Sequence, residues 1–217
     1  MKRSNPMTDL ALIAVFAALI AAVTVWMPGI NVAGSSVPIT LQTLAIGLAA
    51  MVLGPWRAAL ATLLYVVVGL AGIPVFAGGS AGLGVLARPS AGFIIAFPIY
   101  AFVCGLLSYA VLRRGMGRGK GLAGATVGLV LCGLLCSALI THPLGILGMS
   151  YNGHIPLGKA FTFDMAYWPG DVLKTVLAAV IAVAVHKAFP MLALSQAPHD
   201  AARTDVHDAT TGGATAR

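Results

Sequence analysis

Residues 10–27 of the chain read LALIAVFAALIAAVTVWM, a stretch without a single charged side chain. This stretch opens an uncharged run that continues to Trp56, and three further runs follow at 58–87, 89–112 and 121–158. About 20 consecutive apolar residues are enough for a helix to cross the hydrocarbon core of a bilayer. The runs therefore predict a protein that crosses a membrane several times.

The composition excludes the other broad classes of protein. The 217 residues include 13 Lys or Arg, 6 Asp and no Glu, so charged residues make up only 9%. An average soluble domain has about 25%. Hydrophobic residues reach 59%, and disordered chains need low hydrophobicity. The three cysteines lie in apolar runs with no His or carboxylate beside them, so we expect no metal and no cofactor.

The runs divide into six predicted transmembrane helices, which makes the fold class an all-α integral membrane protein. The predicted helices cover 10–27, 39–54, 57–72, 91–112, 122–147 and 169–189. They form one membrane domain, residues 9–190, which follows a short N-terminal segment, residues 1–8. The tail, residues 191–217, is rich in Ala, Thr, Asp and Gly, which predicts a disordered extension.

Positive charge predicts how the helices are oriented, because Lys and Arg accumulate in cytoplasmic loops. The basic residues on one side of the predicted bundle are Lys2, Arg3, Arg57, Arg113, Arg114, Arg118, Lys120 and Lys187. Those in the loops of the other side are Arg88 and Lys159. Both termini are therefore predicted to be cytoplasmic, in a multi-pass protein of the cell membrane. The net charge of +7 then reflects topology, and we expect no nucleic-acid partner.

The loops predicted to lie outside are longer than the inside ones and richer in glycine and proline. They cover 28–38, 73–90 and 148–168. Irregular backbone at membrane depth is tolerated where it folds onto protein or lines a cavity. Function is therefore predicted on the outer face.

Asp171 and Lys174, near the predicted start of the last helix, are the most informative pair. They are three residues apart and so share a helical face. In one interpretation Asp171 complements the helix dipole and Lys174 extends its amine towards the interface. In the other, the two form an acid–base pair that binds a ligand, since ionisable residues inside a membrane are functional by default.

Polar residues at two further places are candidate ligand contacts. Thr40, Gln42 and Thr43 open the second helix, where they either bind a ligand or make hydrogen bonds between helices. Arg88, in an outside loop, either pairs with a ligand carboxylate or meets lipid headgroups. His142, beside Pro143, is expected to mark a kink and to have no partner for chemistry.

Alanines four residues apart form a stripe on the first helix, at Ala14, Ala18 and Ala22. Small residues at this spacing let helices approach closely, either within the chain or against a separate membrane subunit. No phosphate-binding G-x-x-x-x-G-K-[ST] motif occurs in the chain. The predicted spans also contain no nucleophile beside a base, which makes an intramembrane enzyme the remote alternative.

Four short segments together resemble the BioY family, the biotin-binding S components of energy-coupling factor (ECF) transporters. They are Val37-Pro38-Ile39-Thr40-Leu41-Gln42, Gly72-Ile73-Pro74-Val75-Phe76-Ala77-Gly78-Gly79, Pro89-Ser90-Ala91-Gly92-Phe93 and Gly170-Asp171-x-x-Lys174. The resemblance covers about residues 9–190. The family usually shows Gly-Pro-Thr-Gly-Gly before the fourth helix, where this chain has Arg88-Pro89-Ser90-Ala91-Gly92.

The resemblance implies capture of biotin from outside, with transport driven by a transmembrane T component and two ATPase subunits. Asp171 would then accept an N–H of the ureido ring, Lys174 would donate to its carbonyl, and Gln42 would add amide contacts. Phe76 would pack on the apolar bicycle and Arg88 would face the valerate carboxylate. The alanine stripe would dock the T component. An S component or solitary carrier for another small vitamin is the alternative.

Overall fold

The computed structural model describes residues 6–27, 29–30, 37–116 and 122–189, with side chains for all of these except 114–116 and 122. Its α-helices are α1 (Pro6–Trp26), α2 (Gln42–Leu53), α3 (Pro55–Leu70), α4 (Ala91–Met116), α5 (Leu122–Cys136), α6 (His142–Asn152), α7 (Leu157–Met165) and α8 (Trp168–Ala188). A π-helical turn, Ser137–Thr141, joins α5 to α6, and two short 3₁₀ turns, Ala77–Gly79 and Leu83–Ala87, lie between α3 and α4. Within the described ranges the all-α prediction is confirmed.

Some predicted features lie outside the described residues. They are the first five residues of the N-terminal segment, the predicted tail over 191–217, the basic residues Lys2, Arg3, Arg118 and Lys120, and the side chain of Arg114. Residues 6–8, predicted to belong to the N-terminal segment, are instead the first residues of α1.

Helices form in all six stretches that were predicted to span a membrane. Within the part of the chain that the structure describes, four helical segments are long and apolar enough to cross one: Pro6–Trp26, Ala91–Arg113, Ala123–Asn152 and Trp168–Ala188. The helices α2 and α3 are apolar but have only 12 and 16 residues. At about 1.5 Å per residue they measure about 18 and 24 Å, against a hydrocarbon core of about 30 Å. Leu131, Leu139 and Leu173 are more than half exposed, as expected of side chains that face lipid.

The short helix α2 is the centre of the bundle. Nine of its 12 residues are buried, and it packs against α1, α3, α4 and α8. It begins three residues later than predicted because Ile39 is held in extended backbone. The N–H groups of Ile39 and Ile30 each donate to the carbonyl of the other at 2.8 Å. The segment before α2 therefore enters the bundle as irregular chain.

The expected kink beside Pro143 takes the form of the π-helical turn, so the path from Leu122 to Asn152 stays helical. Proline has no N–H to return to the carbonyl four residues earlier, and its ring crowds that carbonyl. A wider turn just before the proline relieves both problems. The turn ends at Thr141, so that His142 begins α6.

The predicted loop over 148–168 is wrong in two places, because residues 148–152 complete α6 and residues 157–165 form α7. Ala160 and Asp164, four residues apart, are completely buried, while Leu157 and Phe161 are exposed. The inward face of α7 thus carries a carboxylate, and its outward face carries large apolar residues. An amphipathic helix of a soluble protein has the opposite arrangement, so the sequence pattern gives no sign of this helix.

Candidate functional site

A cavity of about 320 Å³ opens at the end of the bundle where α2, α4 and α8 begin. That volume is at the small end of the range of about 300–1,000 Å³ that is usual for small-molecule sites. The seven predicted site residues all line this cavity: Thr40, Gln42, Thr43, Phe76, Arg88, Asp171 and Lys174. The structure thus brings together residues that lie up to 134 positions apart in the sequence.

The polar end of the cavity is formed by the start of α8 against the start of α2. Lys174 Nζ donates to Asp171 Oδ1 at 2.8 Å and to Thr43 Oγ1 at 3.3 Å. The Thr43 hydroxyl donates to the same Asp171 oxygen at 3.2 Å. An ammonium has three N–H donors, so Lys174 has one left without a partner among the described residues. Asp171 and Lys174 are each only 8% exposed, which makes this a largely desolvated ion pair.

Local sequence places this ion pair at the first turns of α8. Pro169 occupies an initiating position of the helix, where its missing N–H is not needed. The Asp171 N–H donates to the Tyr167 carbonyl, and the Tyr167 hydroxyl donates to the Val37 carbonyl at 2.9 Å. The acid therefore lies at the positive end of the helix dipole, and the start of α8 is tied to the segment before α2.

A chain of hydrogen bonds fixes how the Gln42 amide is turned. The Tyr65 hydroxyl donates to the Val75 carbonyl at 3.1 Å, and Gln42 Nε2 donates to the Tyr65 hydroxyl at 2.8 Å. A backbone carbonyl can only accept, so the Tyr65 proton is committed to Val75 and its oxygen accepts from Gln42. The Gln42 Oε1 atom accepts no hydrogen bond from the described residues and remains as an acceptor for a ligand.

Phe76 forms part of the apolar wall and is held between α3 and the following loop. Its ring is 2% exposed and meets the Tyr65 ring edge-on, with centroids 5.5 Å apart. It also lies directly on Gly69, where an added Cβ would come within 2.3–2.7 Å of three ring carbons. Only glycine at this position of α3 lets the ring approach so closely.

Arg88 lies at the rim of the cavity and is exposed. The Asn152 Nδ2 group donates to the carbonyls of Arg88 and Leu86, both at 2.9 Å, and so fixes the loop to the end of α6. In the described part of the chain the Arg88 guanidinium makes no ion pair. Its charge is therefore available to an anionic group at the mouth of the cavity.

The prediction that His142 has no partner is wrong. His142 Nδ1 lies 2.8 Å from Asp164 Oδ1, and His142 Nε2 lies 3.6 Å from Asp171 Oδ2. Sequence reasoning missed this group because Asp164 was placed in a loop. The two residues are 22 positions apart and on different helices, so only a prediction of α7 with Asp164 facing inward would have revealed them.

The alanine stripe of α1 lies on the outside of the bundle. Ala14, Ala18 and Ala22 are exposed, whereas Ala17 is buried against the other helices. The stripe therefore does not serve packing within the described part of this chain, and α1 presents a surface of small side chains outward.

Comparison with known proteins identifies the family. The family model described as the BioY family matches residues 1–191. The chain belongs to the BioY family. This BioY protein is 37% identical over 184 residues to the biotin transporter BioY of Rhizobium etli, covering 85% of the chain and 96% of that protein. It is 36% identical over 197 residues to the biotin transporter BioY of Rhodobacter capsulatus, covering 87% of the chain and 98% of that protein.

A solved structure agrees with this assignment. The S component for biotin from an ECF-type ABC transporter superposes with a TM-score of 0.73 at 26% sequence identity. The match covers 86% of this BioY chain and 95% of that one. Together with the four long apolar helices, the relatives make this BioY protein a multi-pass membrane protein that functions in transport and is not an enzyme.

Proposed function

We propose that this chain is the biotin-binding S component of an ECF-type vitamin transporter and that it captures biotin from outside the cell. The observation that carries the proposal is the pattern of donors and acceptors at the polar end of the cavity. A cyclic urea offers two N–H donors and one carbonyl acceptor. The cavity offers two acceptors, Asp171 and Gln42 Oε1, and a free donor on Lys174.

The remaining lining residues suit the rest of the biotin molecule. Asp171 accepts one ureido N–H, Gln42 accepts the other, and Lys174 donates to the carbonyl. Thr40 and Thr43 complete the polar end of the cavity. Phe76 packs on the fused apolar rings, and the exposed Arg88 pairs with the valerate carboxylate at the mouth.

Partners are proposed to supply the energy for transport, which agrees with the lack of a phosphate-binding motif in this chain. The proposed partners are a transmembrane T component, two ATPase subunits and membrane lipid. The exposed stripe of Ala14, Ala18 and Ala22 is the proposed docking surface for the T component, since small side chains allow a partner helix to approach closely. Binding and transport need no cofactor.

The proposed topology is six crossings of the plasma membrane with both termini in the cytoplasm. The starts of α1 and α3 lie at one end, where Arg57 Nη2 pairs with Asp9 Oδ1 at 2.7 Å. Arg113 and Lys187 lie near the ends of α4 and α8, and in this topology they share that cytoplasmic side. The cavity lies at the opposite end, facing outward. There the segment before α2 lines the cavity, which accounts for a helix shorter than the bilayer is thick.

Uptake of labelled biotin tests the assignment as an S component. The chain is expressed in cells that lack their own biotin importer, with and without the T component and both ATPases. We expect rapid uptake with the module and saturable surface binding without it. Equal uptake in both cells would identify a solitary carrier. Absence of biotin binding, together with binding of another vitamin, would identify an S component of different specificity.

A further inference from the structure

A buried chain of ionisable groups continues from Asp171 away from the cavity. His142 is 3% exposed and Asp164 is completely buried, and neither lines the cavity. Both carboxylate oxygens of Asp164 lie 2.8 Å from His142 Nδ1. The Trp168 ring stacks on the imidazole, with centroids 4.4 Å apart and an interplanar angle of 7°. The imidazole is therefore held in one orientation, with Nε2 directed at Asp171.

The geometry limits which nitrogens of the His142 ring can carry a proton. An ionised carboxylate only accepts hydrogen bonds, so His142 Nδ1 must donate to Asp164. A neutral ring would then present its Nε2 lone pair to Asp171 Oδ2, which is also an acceptor, at 3.6 Å. No other hydrogen-bond partner for Nε2 exists among the described residues. Two acceptors facing each other in a buried site are unfavourable, whereas an imidazolium carries a proton on both nitrogens.

The balance of charge also favours the imidazolium form of His142. Two buried carboxylates, Asp164 and Asp171, face one buried ammonium, Lys174. A buried charge without a counter-charge is strongly disfavoured. A positive charge on His142 makes the four groups neutral together. The positive charge on His142 also matters for ligand binding. Lys174 must donate to the ligand carbonyl as well as to Asp171, so it cannot balance the charge of the carboxylates alone.

We infer that Asp164 and His142 are positioning residues for the ligand site. Asp164 holds His142 as an imidazolium, and this cation faces Asp171 and balances the charge of the carboxylate that accepts a ligand N–H. The inference rests on the proposed function, since it assigns these residues to the biotin site. Neither residue touches the ligand, and both act through Asp171.

The charge on His142 is measured directly by nitrogen NMR of the full chain, labelled with ¹⁵N-histidine, in lipid nanodiscs at neutral pH without biotin. His142→Gln identifies the signal by its disappearance. We expect both ring nitrogens of His142 to show the shifts of protonated nitrogens. A neutral ring would show one protonated and one unprotonated nitrogen. That result would overturn the inference, and it would do so even if the chain binds a ligand other than biotin.

The variant Asp164→Asn separates charge from orientation. The asparagine oxygen still accepts from His142 Nδ1, so the ring stays in place while the negative charge is lost. We expect a neutral ring and a biotin Kd raised about tenfold or more, as for the loss of a hydrogen bond to a charged group. His186→Gln is the matched control. That residue is also a buried histidine, but its Nε2 lies 2.9 Å from the Met51 carbonyl oxygen, and it makes no ion pair with a carboxylate of the described residues.

The outcomes separate this inference from the proposed function. If the unmodified chain binds biotin and Asp164→Asn binds it equally well, the positioning role is wrong and the proposed function stands. If the unmodified chain binds no biotin, the proposed function and the role built on it both fail. Weakened binding in Asp164→Asn, normal binding in His186→Gln and an imidazolium signal in the unmodified chain together support the inference.

Discussion

Replacing Asp171 with Asn removes one charge from the polar end of the cavity and leaves the shape almost unchanged. Asp171 Oδ1 already accepts from Lys174 at 2.8 Å and from Thr43 at 3.2 Å. An asparagine that keeps these two bonds must place its NH₂ group where Oδ2 was. That group is a donor, so an arriving ureido N–H meets a donor instead of a carboxylate.

The expected loss of affinity is at least that of the ureido bond, because the same NH₂ group also faces His142 Nε2 at the Oδ2 position. Hydrogen bonds to charged groups contribute about 1.5–3 kcal/mol, and a loss of about 2 kcal/mol raises Kd about 30-fold. Isothermal titration of biotin into purified protein measures the change. Asp9→Asn is the matched control, because Asp9 pairs with Arg57 at the opposite end of the bundle. A Kd for Asp171→Asn within about threefold of the unmodified chain would refute the role of Asp171.

Three further substitutions test other parts of the account. Gly69→Ala places a methyl group 2.3–2.7 Å from the phenyl ring in the cavity wall; the ring must move, and we expect a loss of biotin affinity of about tenfold. Arg88→Gln removes an exposed cation at the rim, so we expect only a two- to fivefold loss, roughly, for biotin and none for biotin methyl ester. Ala18→Trp adds bulk to the outward stripe of α1 and should abolish ECF-dependent uptake while leaving biotin Kd unchanged.

Each of these substitutions has a matched control in the same chain. Gly84→Ala adds the same methyl group where nothing lies within 4 Å. Lys159→Gln removes the other basic residue assigned to the outer side, which does not line the cavity. Leu173→Trp adds a large side chain at a position that is 70% exposed on α8. If a control changed binding or uptake as much as the test substitution it is paired with, the effect of that substitution would not come from the assigned contact.

The helices of the fold were predictable because their signal is long and uniform. A run such as 10–27 has no charge to interrupt it, and the same is true of the runs that form α5 and most of α4, whereas α8 carries only Asp171, Lys174 and Lys187 as charged residues. The boundaries were less predictable where backbone pairing decides them. Ile39 is as apolar as the residues of α2, and it stays outside the helix only because it bonds to Ile30.

The charged residues of the cavity were predictable because the surrounding sequence is so uniformly apolar. Asp171 and Lys174 stand out because few other ionisable groups interrupt the spans. The residues that support them were not predictable. Tyr65 looks like an ordinary aromatic residue within a span, and its role depends on a hydroxyl that packing places between Gln42 and Val75. Asp164 lies in a helix whose apolar period is too short and irregular to recognise.

Equilibrium binding of biotin to the purified, unmodified chain tests the central claim most directly. We expect one biotin per chain with a Kd of about 1 µM or tighter, and competition by free biotin analogues that retain the ureido ring. The analogue 2-iminobiotin, whose cationic guanidinium group replaces the urea, should compete poorly, because Lys174 would then face a positive charge. No binding at micromolar biotin, or equal binding of 2-iminobiotin, would contradict the account.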